Sequence, residues 1–127
     1  MPASGRAVEL TLAPSAPRTA DPTLTPASFT SSEPGAGAAV VVDVTTAGTG
    51  SITMFLEGFD VASSKWVVLL AGGAIVTAVT NLYVLYPGIT DVANSRTGIH
   101  LTRQWRVRIV HNNANSMTYS VGVNILP

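Results

Sequence analysis

The sequence predicts an all-β fold: a single antiparallel β-sandwich, immunoglobulin-like or jelly-roll-like, with an extended N-terminal arm. Three observations carry this. In RQWRVRIVH and MTYSVGVNI, which lie between Arg103 and Ile125, apolar and polar residues alternate, and period two over that length marks half-buried strands. The same pattern of short runs closed by turn residues recurs upstream and brings the count to about six or seven strands, enough for a small sandwich. With 127 residues, 46% of them hydrophobic and 11% charged, the chain has the length of one domain and the apolar material for one core.

Residues 1–37 form the arm. From Ala13 to Gly37 it is dense in Pro, Ser, Thr, Ala and Gly, a composition that buries too little to offset its ordering entropy and is expected to be extended, partly polyproline-like. Within it Val8, Leu10 and Leu12 alternate with Glu9 and Thr11, as a short strand would, and such a strand can add to a sheet edge of this molecule or of a neighbour.

The sandwich is expected over 38–127. Val40, Val42 and Val44 face inward with Asp43 outward, and Ala47-Gly48-Thr49-Gly50 turns the chain. Ile52, Met54 and Leu56 form the next inward series. The segment GFDVASSK reads as a loop in which Asp60 caps the turn, returning as a strand over 66–70. A further strand spans 82–86, with a short one at 74–78 before it, and Pro87-Gly88 closes it. A polar loop over 91–101 leads to the last two strands. In these Trp105, Val107 and Ile109 share one face, as do Met117, Tyr119, Val121, Val123 and Ile125. The joining residues Asn112, Asn113, Ala114, Asn115 and Ser116 predict an antiparallel hairpin.

Composition narrows function. Seven basic and seven acidic residues cancel, so bulk charge draws the chain to neither nucleic acid nor anionic membrane. No cysteine is present, which leaves out disulfides and thiolate metal sites. The start, MPASGRAVEL, lacks an apolar core, and no secretory signal is expected. The uncharged run WVVLLAGGAIVTAV approaches a membrane-spanning length, but Gly72-Gly73 and the β-branched residues favour buried strands, their excess apolar surface covered by another copy of the chain.

No enzymatic constellation, cofactor or metal is expected. His100 and His111 lack paired ligand spacing, Ser63, Ser64 and Ser116 lack a nucleophile elbow, and Asn112–Ser116 holds no carboxylate for calcium. Glu57 and Asp60 read as strand exit and turn cap rather than as a glycosidase pair. Trp66, Tyr83, Tyr86 and Trp105 would stack sugars only from one exposed face, whereas Trp66 and Trp105 read as core. The one basic cluster is Arg103, Arg106 and Arg108. Arg106 and Arg108 share a face, and the cluster is expected to pair with carboxylates of a neighbouring subunit.

The runs SITMFLEGFDVASSKW, LYVLYPG and RQWRVRIVHNNANSMTYSVGVNIL are similar to a family of small proteins encoded among the virion structural genes of tailed bacteriophages. Its members share an EGxDxASxK loop, a YPG turn, a WRVR strand and a terminal TYSVG strand. The resemblance covers Val40 to the C-terminus; where the family has LP before WRV, this chain has Leu101-Thr102. It implies a capsid decoration or cement subunit on the virion exterior, made in the host cytoplasm. The expected partners are the major capsid protein and copies of the chain itself, as a homo-oligomer for which the resemblance favours a trimer, without nucleic acid or membrane. The expected partner-binding residues are Val8, Leu10 and Leu12 of the arm and Arg103, Arg106 and Arg108. The rival functions are a tail or connector subunit and a virion-surface module binding carbohydrate or host.

Overall fold

A computed structural model describes residues 8–30 and 37–126, and these contain strands but no helix. The strands are β1 (Val8–Arg18), β2 (Phe29–Thr30), β3 (Gly37–Thr46), β4 (Ile52–Asp60), β5 (Lys65–Ala71), β6 (Thr80–Leu85), β7 (Arg96–Thr97), β8 (Gln104–His111) and β9 (Met117–Leu126). Sheet A has the order β1-β9-β3-β6-β7 and sheet B the order β2-β8-β4-β5. All pairings are antiparallel except that of β6 with the two-residue β7.

The inward faces are those the alternation marks. Val40, Val42, Ile52, Met54, Leu56, Trp105, Tyr119 and Val121 are all fully buried at 0% exposure, and Ile109 and Val123 nearly so at 2%. They interdigitate between the sheets as a single apolar layer. Phe29 stacks on Trp105 with ring centroids 4.2 Å apart.

The pairing scheme identifies the type of sandwich. The chain doubles back at the turn between β4 and β5, and successive pairs nest around it: β4 with β5, β3 with β6, β2 with β8, β1 with β9. Lateral pairing of β4 with β8 and of β3 with β9 rolls these pairs into two sheets. This is a jelly roll. In the immunoglobulin arrangement the last two strands would lie in one sheet, and here β8 and β9 lie in opposite sheets.

The hairpin expected over 103–125 is therefore not formed. Residues 112–116 instead cross from sheet B to sheet A, a gap of ~10 Å that a short extended segment spans. Their asparagines tie this crossing to the neighbouring one between β3 and β4. The Asn112 side chain donates to Ser51 Oγ at 2.9 Å and Thr53 Oγ1 at 3.0 Å, and the Asn113 and Asn115 amides donate to the Thr49 carbonyl at 3.1 and 3.3 Å.

The sequence places the start of the domain at Ala38, whereas strand pairing begins at Val8. β1 runs antiparallel to β9 from Val8 opposite Ile125 to Arg18 opposite Met117. Leu12 and Ala13 are buried at 3%. Prolines did not prevent this because β1 is an edge strand: Pro14 and Pro17 lack an N–H, and an edge needs donors on one side only. Register shifts between Thr11 and Ala16 absorb the mismatch. Pro34 and Gly35 of the arm lie outside the described residues, as does everything before Val8.

Two further expectations change. The strand at 74–78 reduces to one bridge, Ile75 to Ile52. The loop GFDVASSK is shorter than expected, because β4 continues to Asp60 and β5 starts at Lys65. Its tip is capped as foreseen: Asp60 Oδ2 accepts the Ser63 N–H at 3.2 Å and the Ser63 hydroxyl at 2.6 Å. Among the described residues no helix is long and apolar enough to cross a membrane.

Candidate interaction face on sheet B

On β4 the residues Met54, Leu56 and Gly58 point into the core, so Phe55, Glu57 and Phe59 point away from it. On β8 the outward residues are Arg106 and Arg108, directly opposite Glu57 and Phe55. On β5 Trp66 stands opposite Phe59 and Val68 opposite Glu57. Three strands thus set four aromatic or charged side-chain types side by side on one outer surface.

Glu57 is its centre. Arg106 Nε donates to Oε1 at 2.8 Å, Arg108 Nε donates to the same oxygen at 3.2 Å, and Arg108 Nη2 donates to Oε2 at 3.0 Å. Glu57 is only 4% exposed although it faces outward, because the two arginine side chains cover it. Each guanidinium also lies over a ring, Arg106 over Trp66 at 4.3 Å and Arg108 over Phe55 at 4.7 Å. Phe59 meets Trp66 edge to face at 5.2 Å. Burial by itself would raise the Glu57 carboxyl, but the hydrogen bonds and charges of Arg108 and then Arg106 outweigh it and hold the group below its ordinary value. The Glu57 hydrogen bond in turn raises Arg108 against its own desolvation.

Gly58 makes room beside this face. A Cβ there would lie 2.3 Å from Thr102 Oγ1, so any larger residue would have to displace the Thr102 side chain that packs against β4. Thr102 secures that bend by donating to the Gln104 carbonyl at 2.8 Å.

A second polar cluster lies at the far end of β8. Tyr119 Oη and His111 Nε2 are 2.7 Å apart, and the His111 N–H donates to Asp21 Oδ1 at 2.7 Å. Arg18 lies over the Tyr119 ring at 4.8 Å and donates to the carbonyls of Pro14, Ala16 and Tyr119. His111 Nδ1 is buried and has no partner among the described residues. Burial lowers His111, Asp21 opposes this, and Arg18 adds to it. Burial pushes Tyr119 up to about 12.

The expected site residues divide accordingly. Arg106 and Arg108 do share a face, but the carboxylate that binds them belongs to this chain. Arg103 is exposed at the bend before β8 and stands outside the cluster. Val8, Leu10 and Leu12 complete this chain's own sheet: Val8 pairs with Ile125, Leu10 packs partly buried against the core, and Leu12 lies within it. Trp105 is core, whereas Trp66 is half-buried on the outer face. The four aromatics weighed as a sugar platform are dispersed, since Trp105 and Tyr83 are buried inside the sandwich. Glu57 and Phe55 are the residues that sequence reasoning missed. The signal was their parity with Arg106 and Arg108 along strands now known to pair.

Val67, Val68, Val76, Val79 and Leu82, all within the uncharged span after Lys65, are 44–55% exposed. Among known proteins, no family model matches the chain and no curated protein matches it.

Proposed function

We propose that this protein is a non-enzymatic structural subunit of a tailed-phage virion: a decoration or cement protein that binds the assembled head lattice through the outer face of sheet B and stabilises it. One observation carries the reading. The residues behind the family resemblance are far apart in sequence, yet Glu57 of the EGFD run, Trp66 of the SSKW run and Arg106 and Arg108 of the WRVR run converge in one cluster. A surface that stacks arginines on aromatic rings over a buried carboxylate has the composition of an interface centre, rich in Trp and Arg. The jelly roll is common in viral capsid and lectin domains, an analogy that raises the prior without deciding it. Copies of the chain join one another through the exposed valines and Leu82, with a trimer as the expected state.

The test is composition and accessibility of purified particles. Mass spectrometry should find the protein at a stoichiometry comparable with that of the capsid protein, and gold-labelled antibody should decorate intact heads. Absence from particles, or label confined to tails, would overturn the decoration role. Glycan arrays probed with the purified protein should show no binding, because the exposed face of Trp66 is occupied by Arg106.

A further inference from the structure

Sheet edges are ordinarily blunted by shortness, proline or charge. β2 and β7 have two residues each, and β1 carries Pro14 and Pro17, its Leu12 carbonyl also taking the Thr25 N–H at 3.1 Å. β5, the outer strand of sheet B, has seven residues, no proline and a single charge, Lys65, at its first position. Val67 and Val68 point to opposite faces of the sheet, yet they are 50% and 46% exposed as whole residues, so the strand is open along its side and not on one face alone. We propose that two copies of the chain join antiparallel along β5, making sheet B continuous across a two-fold axis.

The main chain fixes which groups are on offer. Ile52 exchanges both backbone bonds with Ile75, and the Met54 carbonyl accepts the Gly72 N–H, so the even-numbered residues of β4 direct their N–H and C=O toward β5. Gly58 therefore bonds the residue opposite it, Val67. Trp66 and Val68 direct theirs the other way, past the edge of the sheet, where no backbone group answers them among the described residues. One register satisfies them all. With Val67 opposite the partner's Val67, Trp66 and the partner's Val68 exchange both bonds, and the two-fold axis repeats the exchange to make four.

Side chains select the same register, because directly opposite residues must share a face. Trp66 and Val68 both point outward, like Phe59 and Glu57 opposite them. Lys65 and Leu69 both take the inner parity, Leu69 Cδ1 lying 3.1 Å from where a Cβ on Gly58 would stand. Centring on Val68 instead would set outward Trp66 against inward Leu70, since the irregularity after Val68 shifts the parity there. Trp66 beside Val68 is a favourable aromatic and β-branched pair. Charge suits a second copy equally well: the two Lys65 groups stand four residues apart along the joined strands, ~13 Å, beyond the ~8 Å screening length of physiological salt. The axis is normal to the sheet, so both outer faces turn the same way, with the two Glu57 clusters three strand spacings or ~14 Å apart. A dimer thus presents the docking face twice. Only this last consequence rests on the proposed function. The trimer implied by the family resemblance would have to form through Val76, Val79 and Leu82, which the β5 pairing does not use.

Sedimentation of the full-length protein over a concentration series should show a monomer and dimer in equilibrium, and hydrogen exchange at the Trp66 and Val68 amides should slow as the dimer fills. Val68→Pro removes a donor that β4 does not use, so it should leave unfolding cooperative and weaken association about tenfold or more, two of the four bonds being lost. Val67→Lys and Val67→Glu should each be monomeric alone, because like charges then meet across the axis, and should pair with each other when mixed. Misfolding cannot produce that rescue. A protein monomeric throughout, or Trp66 and Val68 amides that exchange alike at every concentration, would refute the pairing. A trimer with those amides unprotected would overturn the two-fold contact and leave self-association standing. A dimer with the expected protection in a protein absent from particles would uphold the pairing and sink the virion role alone.

Discussion

Trp105 shows how one residue couples the two ends of the chain. It is fully buried, stacks on Phe29 at 4.2 Å, and its indole N–H meets no acceptor among the described residues, so the contribution seen there is packing. Trp105→Ala should cost about 3 to 5 kcal/mol, the range for deleting a large aromatic from a core. Denaturant titration measures it, and a loss under about 1 kcal/mol would mean that the neighbours collapse into the space. Titration of individual groups sets the pH dependence. His111 has a folded pKa below its unfolded value of 6.5; between the two the unfolded chain binds more protons, so stability is complete above about 6.5 and falls as pH drops toward the folded value. Glu57 stabilises the fold above its unfolded value of 4.5, and that contribution is lost as pH falls through its folded pKa. Asp60, held low by its Ser63 hydrogen bonds, shares the second step. Unfolding midpoints measured against pH should therefore decline in two stages. His111→Gln should remove the upper stage and leave the lower one.

At the scale of elements, the faces were legible in the sequence and the pairings were not. Alternation reports which side of a strand is buried, and it marked Val40, Ile52, Trp105 and Met117 as inward because burial acts on each residue separately. The partner of a strand is a property of two distant segments. Asparagines in a five-residue connection suit a hairpin loop as well as an arch between sheets. Glu57 was missed because it was read as the exit of a strand that ended before Gly58, whereas β4 runs on to Asp60 and sets Glu57 within the ladder opposite Arg106. Trp66 was taken as core because an apolar run hides its own parity, and the irregularity between β4 and β5, where Val68 pairs with Glu57 but Leu70 with Leu56, shifts that parity within the run. The arch has its own test. Replacing residues 112–116 with Asn-Gly, the favoured two-residue hairpin turn, should abolish cooperative folding, since the three Cα–Cα steps then left reach ~10–11 Å only when fully extended, with no slack across sheets ~10 Å apart, and the Asn113 and Asn115 bonds to Thr49 are lost. A variant that unfolds as cooperatively as the parent would show that β8 and β9 can pair.

For the molecule as a whole, the roll leaves its edges unequal. β2 and β7 have two residues each, β1 carries prolines, and β5 is a longer apolar edge. Short and proline-bearing edges discourage indiscriminate pairing, while the outer surface of sheet B carries Arg106 and Arg108 beside Trp66 and Phe55. Under the proposed function, that asymmetry would give the molecule a preferred side for docking on a lattice. Imaging of intact particles at side-chain resolution tests this most directly. The account predicts a jelly roll on the outside of the head with Trp66, Arg106 and Arg108 against a neighbouring protein. Particles in which this face points to solvent, or which lack the protein, would contradict it.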